Sequence, residues 1–287
     1  MIPGEFEYRK ASSVQEAVQL LQQNQEAKIL AGGHSLIPMM KLRLATPPML
    51  IDIGGIEELR GIRPSDGGVA IGALTTHAAV EESQELKQTF PMMYEAAHVI
   101  GDPMVRNVGT FGGSLAHADP AGDWPAIVLA LGATMKTVGS TGERQIPAEE
   151  FFVDLLTSAL EPGEVLTEVT IPAPQGRTGM SYQKFSHPAS GYAVVGVAAV
   201  VTLDGSGNCQ DCRVAITGAG PKAARATETE NMLRGQTINA DTIAQAAERA
   251  GDGMELLGDI FASAEYRGHL VKVFTRRALA KALENAR

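Results

Sequence analysis

An α+β fold in two units is predicted for this chain on three observations. Short strand and helix signals alternate through the first 175 positions. Pro172-Ala-Pro-Gln-Gly-Arg-Thr-Gly179 then has the Pro and Gly density of a linker. Beyond it come three strand-like runs followed only by helical patterns, the order of a small antiparallel sheet with helices laid on it. The domains are therefore expected at residues 1–175 and 176–287.

Ser13-Val-Gln-Glu16 has capping-box spacing, and Val14, Ala17, Val18 and Leu21 recur behind it as one apolar helical face. Lys28-Ile-Leu30 reads as a short strand running into Ala31-Gly-Gly-His-Ser35. Met49–Ile53 and Gly68–Gly72 read as buried strands bounded by Gly or Pro. Helices are expected from about Thr76 to Glu82 and from Pro91 to Ile100, then a second glycine loop over Gly109–Ser114. Trp124–Leu131 should be a helix stopped at Gly132, with strands at Ala133–Val138 and Val165–Ile171. Past the linker, Met180–Phe185, Ala193–Leu203 and Arg213–Thr217 are the expected strands. Helical patterns cover Ala224–Leu233, Ala240–Ala250 and Ala264 onward.

Composition bounds the function. At 44% hydrophobic and 20% charged residues, 287 residues can bury a sizeable core. Twenty-four Lys+Arg against 33 Asp+Glu give a net charge of −9, without the basic patch of a nucleic-acid or anionic-membrane binder. Two cysteines, Cys209 and Cys212, cannot ligate an iron–sulfur cluster or a four-cysteine zinc site. Redox chemistry would thus need an organic cofactor or another chain's centre. No secretory signal is visible, and the longest apolar stretch, Tyr192–Leu203, is too short to span a bilayer. A soluble, cytoplasmic protein with no transmembrane segment is expected.

The two glycine loops carry the chemistry. A glycine lets backbone approach a ligand and aims successive N–H groups at one point, while Ser35, Thr110 and Ser114 add neutral hydroxyls. Such a pair could clasp a diphosphate; equally, each could be an ordinary tight turn at a strand end. Asp123, near the start of the Trp124 helix, fits a cap or an acceptor for ligand hydroxyls and ring N–H groups. His117 and Asp119 lack the further ligands of a metal site. Gly218-Ala-Gly-Pro-Lys-Ala223 matches a dinucleotide fingerprint in spelling only, since no second parallel strand follows. Cys209-Gln-Asp-Cys212 has redox-motif spacing but falls in a polar turn between strands.

Ala31-Gly-Gly-His-Ser-Leu-Ile-Pro-Met-Met-Lys41 and Thr110-Phe-Gly-Gly-Ser-Leu-Ala-His-Ala-Asp119 together resemble the FAD-binding medium subunits of the molybdenum hydroxylases. Within them the aerobic carbon monoxide dehydrogenase medium subunits, in the wider xanthine dehydrogenase family, look closest. The resemblance spans essentially the whole chain. It implies a two-lobed PCMH-type FAD-binding domain followed by a C-terminal domain with a three-stranded antiparallel sheet and a three-helix bundle.

It also implies site residues. Ile29, Leu30, Ala31, Gly32, Gly33, His34, Ser35 and Leu36 would hold the diphosphate with Thr110, Phe111, Gly112, Gly113 and Ser114. Ile100 and Leu166 would pack on FAD, Asp123 matches the family's cofactor-binding aspartate, Lys184 lies on a strand reaching the cofactor, and Tyr192 matches an aromatic covering the flavin ring. Phe185-Ser-His-Pro-Ala-Ser-Gly191 departs from the basic run those dehydrogenases carry. By the same resemblance the molybdenum cofactor and [2Fe-2S] clusters sit on a large and a small partner subunit, in a dimer of heterotrimers. Electrons would pass through this chain's FAD to an external acceptor, with no catalytic acid, base or nucleophile and no metal here. A free-standing FAD-dependent oxidoreductase of the same flavin fold is the alternative.

Overall fold

A computed structural model describes residues 1–286 and distributes them over three sheets and one hairpin. The first sheet is parallel, in the order β1-β3-β2, from β1 (Glu7–Lys10), β2 (Lys28–Leu30) and β3 (Met49–Asp52). Its crossovers carry α1 (Val14–Gln23) and α2 (Leu36–Lys41). Ser13 caps α1 by accepting from the Glu16 N–H at 3.1 Å. The Glu16 carboxylate reaches back to the N–H and hydroxyl of Ser12 instead of Ser13, so the expected box is displaced by one residue. Val14, Ala17, Val18 and Leu21 fill a small core with Ile51 and Ile53.

The second sheet is antiparallel, in the order β4-β5-β10-β6-β7. Its members are β4 (Ile62–Ser65), β5 (Gly68–Gly72), β6 (Thr134–Gly139), β7 (Gly142–Pro147) and β10 (Val165–Pro172). Between β5 and β6 runs a helical stretch: α3 (His77–Glu82), α4 (Gln84–Thr89), α5 (Pro91–His98), α6 (Pro103–Val108), α7 (Phe111–His117) and α8 (Trp124–Leu131). α9 (Ala148–Phe151) and the hairpin of β8 (Phe152–Asp154) and β9 (Thr157–Ser158) complete this region. α8 ends as expected at Gly132, whose φ of 64° is the left-handed cap glycine adopts cheaply.

After Pro172, β11 (Arg177–Ser186), β12 (Ala193–Leu203) and β13 (Cys209–Thr217) form an antiparallel sheet. The resemblance implied three strands; the sheet has four. The fourth, β14 (Ala224–Arg225), pairs with β13 before α10 (Thr227–Leu233) starts, so the helix expected from Ala224 begins later. α11 (Ala240–Ala247) and α12 (Ala264–Ala286) follow, and α12 packs on β11 and β12.

The sheet is buried on both faces, which explains the unbroken apolar run of β12. Val195, Val197, Ala199 and Val201 face the C-terminal helices with Val214 and Ile216 of β13. Ala198, Ala215, Met180 and Tyr182 enter the main core with Trp124 and Phe111. α5 lies on β11 and α8 on β12 and β13. The Thr217 hydroxyl lies 2.7 Å from both the Pro120 and Gly122 carbonyls, and the Ala193 N–H donates to Ala121.

One expectation about a loop is corrected here, and another holds. Cys209 and Cys212 are not in a polar turn: β13 starts at Cys209, and both side chains are buried in the helix-facing core. The Gly218–Ala223 segment leads into β14, antiparallel to β13, so no βαβ unit forms around it.

Candidate functional site

A cleft of about 760 Å³ opens where the three-stranded sheet, the helical stretch and the loop from β11 to β12 meet. That volume lies within the roughly 300–1,000 Å³ usual for cofactor and ligand sites. Both glycine segments line it. They also touch: a Cβ on Gly32 would meet the Val108 carbonyl and come within 2.9 Å of the Gly109 Cα, so only glycine permits this approach.

The first segment leaves β2 and turns at Gly33, whose φ is 72°. The N–H groups of Gly32, Gly33, His34 and Ser35 donate to no described residue. A row of unpaired donors on a cleft wall is costly unless water or a ligand accepts from it. The second segment differs from the expected loop, because Phe111–His117 is a helix with Thr110 as its cap. Its N–H groups are taken: Phe111 donates to Thr75 at 2.8 Å, Gly112 to Ala73 at 2.9 Å and Gly113 to the Thr110 hydroxyl at 3.2 Å. This wall therefore presents the hydroxyls of Thr110 and Ser114 rather than a backbone cradle.

Asp123 closes one side. It is 6% exposed and makes no side-chain cap for α8, so the cap reading does not hold. Its Oδ1 accepts from the Tyr182 hydroxyl at 2.5 Å and its Oδ2 from Lys184 Nζ at 2.9 Å. Lys184 also donates to the Val99 carbonyl. Burial pushes the Asp123 carboxyl up, opposed by the Lys184 charge and the two hydrogen bonds. Burial, with the Asp123 charge behind it, raises the Tyr182 phenol well above its ordinary value. The hydroxyl fits because Gly196, which pairs with Lys184 on β12, has no Cβ to block it.

Among the sequence-derived candidates, Ile29, Ala31, Gly32, Gly33, His34, Ser35 and Leu36 line the cleft, as do Ile100, Thr110, Gly113, Ser114, Asp123 and Tyr192. Five others stand behind its wall. Leu30 supports Gly33, and Lys184 reaches the cleft through Asp123. Phe111 is fully buried against Trp124, with ring centroids 4.9 Å apart. Gly112 packs on Ala73, and Leu166 is in the main core. The sequence reading passed over Tyr182, although it stands two positions from Lys184 on one face of a strand. It also passed over His77, the buried first residue of α3, which lines the cleft.

Residues 4–174 match the family described as "FAD binding domain in molybdopterin dehydrogenase", and residues 180–282 match "CO dehydrogenase flavoprotein C-terminal domain". The chain belongs to the FAD-binding medium subunits of the molybdenum hydroxylases. The 6-hydroxypseudooxynicotine dehydrogenase complex subunit alpha of Paenarthrobacter nicotinovorans is 41% identical, covering 100% of this chain and 97% of that protein. The carbon monoxide dehydrogenase medium chain of Hydrogenophaga pseudoflava is 40% identical, with 97% of each chain covered. The solved carbon monoxide dehydrogenase from the same organism superimposes with a TM-score of 0.96, at 40% identity over 99% of each chain.

For a medium subunit of this family FAD is the cofactor, and the residues present fit it. Four unpaired N–H groups, with the O–H groups of Ser114 and of Thr110, whose oxygen already accepts from Gly113, suit an uncharged grip on a diphosphate. The buried Asp123 carboxylate has spare lone pairs for ring N–H or hydroxyl groups. Tyr192, more than one-third exposed, stands at the rim with its phenol within reach of Ser35. Such a chain is a flavoprotein subunit of an oxidoreductase.

Proposed function

We propose that this cleft holds FAD and that the chain relays electrons from iron–sulfur clusters on a small partner subunit to an external acceptor. A large partner subunit would oxidise substrate at its molybdenum centre, the assembly being a dimer of heterotrimers in the cytoplasm. When bound, the flavin supplies the one- and two-electron chemistry that side chains lack. The protein's residues bind and orient it. Gly32–Ser35, Thr110 and Ser114 take the diphosphate, Ile29, Leu36 and Ile100 offer apolar contact, and Asp123, held by Tyr182 and Lys184, fixes a polar edge. Tyr192 stands at the open rim, where it would cover the flavin ring.

One observation supports this reading most: Gly32–Ser35, whose backbone donors are unpaired, and the hydroxyl residues Thr110 and Ser114 line a single cleft. Ser35→Asp tests it by setting a carboxylate among those donors. Flavin content of the purified complex should fall at least about tenfold, the loss of one charge-assisted contact or more. Undiminished flavin in a folded Ser35→Asp complex would overturn the assignment. Reduction of the clusters by substrate in a deflavinated complex, without reduction of the acceptor, tests the relay.

A further inference from the structure

We propose that His77 is a further positioning residue for the cofactor, a neutral imidazole whose Nε2–H is directed at the anionic bridge of a dinucleotide between the two glycine segments. This rests on the reading that the cleft holds FAD.

The tautomer follows from one hydrogen bond. The indole N–H of Trp124 can only donate, and it donates to His77 Nδ1 at 3.0 Å. Trp124 is fully buried, so this acceptor is what satisfies it. A neutral ring accepting at Nδ1 must carry its proton on Nε2. That Nε2 donates to no described residue, yet it is not among the fully enclosed unpartnered atoms, and His77 lines the cleft. It lies 2.9 Å from where a Cβ on Gly109 would stand, beside the point where Gly32 and Gly109 meet. The backbone N–H of His77 also donates to the Gly109 carbonyl at 3.0 Å, tying the start of α3 to the second segment.

The surroundings keep the ring uncharged. Burial foremost, then the His34 and Arg106 charges, lower its pKa from the ordinary 6.5 to about 4. His34 faces it from the first segment, and Arg106 from α6, where that guanidinium is tied to Glu81 at 2.7 Å and to the Ile100 carbonyl. A donor held neutral adds a directed hydrogen bond without a charge that would need neutralising when the cleft is empty of anions. The residue thus extends the uncharged donor row of Gly32–Ser35 past the point where the two segments meet.

The experiment titrates FAD into the deflavinated complex and follows quenching of flavin fluorescence. His77→Phe, which removes the donor, should weaken FAD binding about tenfold or more, the range for a hydrogen bond to a charged group. His77→Gln, whose amide can both accept from Trp124 and donate to the cleft, should recover most of that loss. On the wild-type full chain, with ¹⁵N-labelled histidine, the His77 Nε2 signal should move on adding FAD, and His77→Gln identifies it among the six histidines. A His77→Phe complex that binds FAD as tightly as wild type would overturn the inference. So would equal losses in both variants with a His77 Nε2 signal indifferent to FAD, the signature of a merely structural residue. Those outcomes leave the cleft assignment standing if Ser35→Asp still sheds flavin; a Ser35→Asp complex with full flavin removes both.

Discussion

Acidification should unfold this chain partly through His77. In the folded protein its pKa is about 4, against an ordinary 6.5 in the unfolded chain. Between those values the unfolded chain takes up a proton that the folded one refuses, so stability is complete above about pH 6.5 and drains away as pH falls towards 4. At about 1.4 kcal/mol per pH step, the full interval is worth roughly 3 kcal/mol. For a domain whose total stability is of order 5–15 kcal/mol, that is a large share. The assay is urea unfolding of the flavin-free chain at about pH 7, 5.5 and 4.5, for wild type and His77→Gln. Carboxylates titrate in both proteins and cancel in the difference, which should shrink by about 2–3 kcal/mol across the range as wild type loses its advantage. Parallel pH profiles for the two proteins would refute the claim that His77 is buried neutral.

Other substitutions probe the remaining parts of the site. Lys184→Met strips the partner from a buried carboxylate, with the lysine side chain 3% and the aspartate 6% exposed, and should cost about 3–5 kcal/mol in chemical unfolding. Adding Asp123→Asn should recover much of it, and simple additivity of the two would show that the pair is not coupled. Gly112→Ala would set a methyl 2.5 Å from the Ala73 Cβ, so a loss of about 1–3 kcal/mol is expected in thermal unfolding, while FAD affinity of the folded fraction stays near wild type. Replacing Cys209 and Cys212 with serine should lower stability, since both are buried, and leave electron transfer through the complex unchanged in steady-state turnover. A large turnover loss at unaltered stability would instead assign the thiols a redox role.

Much of this was legible along the chain because the relevant signals are local. The Trp124–Leu131 helix, its glycine stop, the α1 face and the two glycine segments all depend on neighbours within a turn or two. What stayed hidden depends on distant partners. Gly112 reads like a ligand-binding glycine, but only the fold reveals Ala73 against it. The Thr110 segment reads as a loop because two glycines argue against helix, yet Thr110 capping and close packing outweigh their propensity. Leu166 and Phe111 carry no mark separating core from cleft. His77 and Trp124 lie far apart in sequence, and nothing in the sequence near either announces their bond.

The two matched regions do not behave as separable modules. Asp123 of the first is held by Tyr182 and Lys184 of the second, Tyr182 packs in the first region's core, and Thr217 latches onto the Pro120–Gly122 backbone. A chimera joining the front half of one relative to the back half of another at the short connection 173–176 is therefore expected to mismatch the polar lock and the sheet face at once. Changes at Asp123, Tyr182 and Lys184 should accordingly be found as sets, and grafting the C-terminal half from a relative would succeed only when its lock residues travel with it.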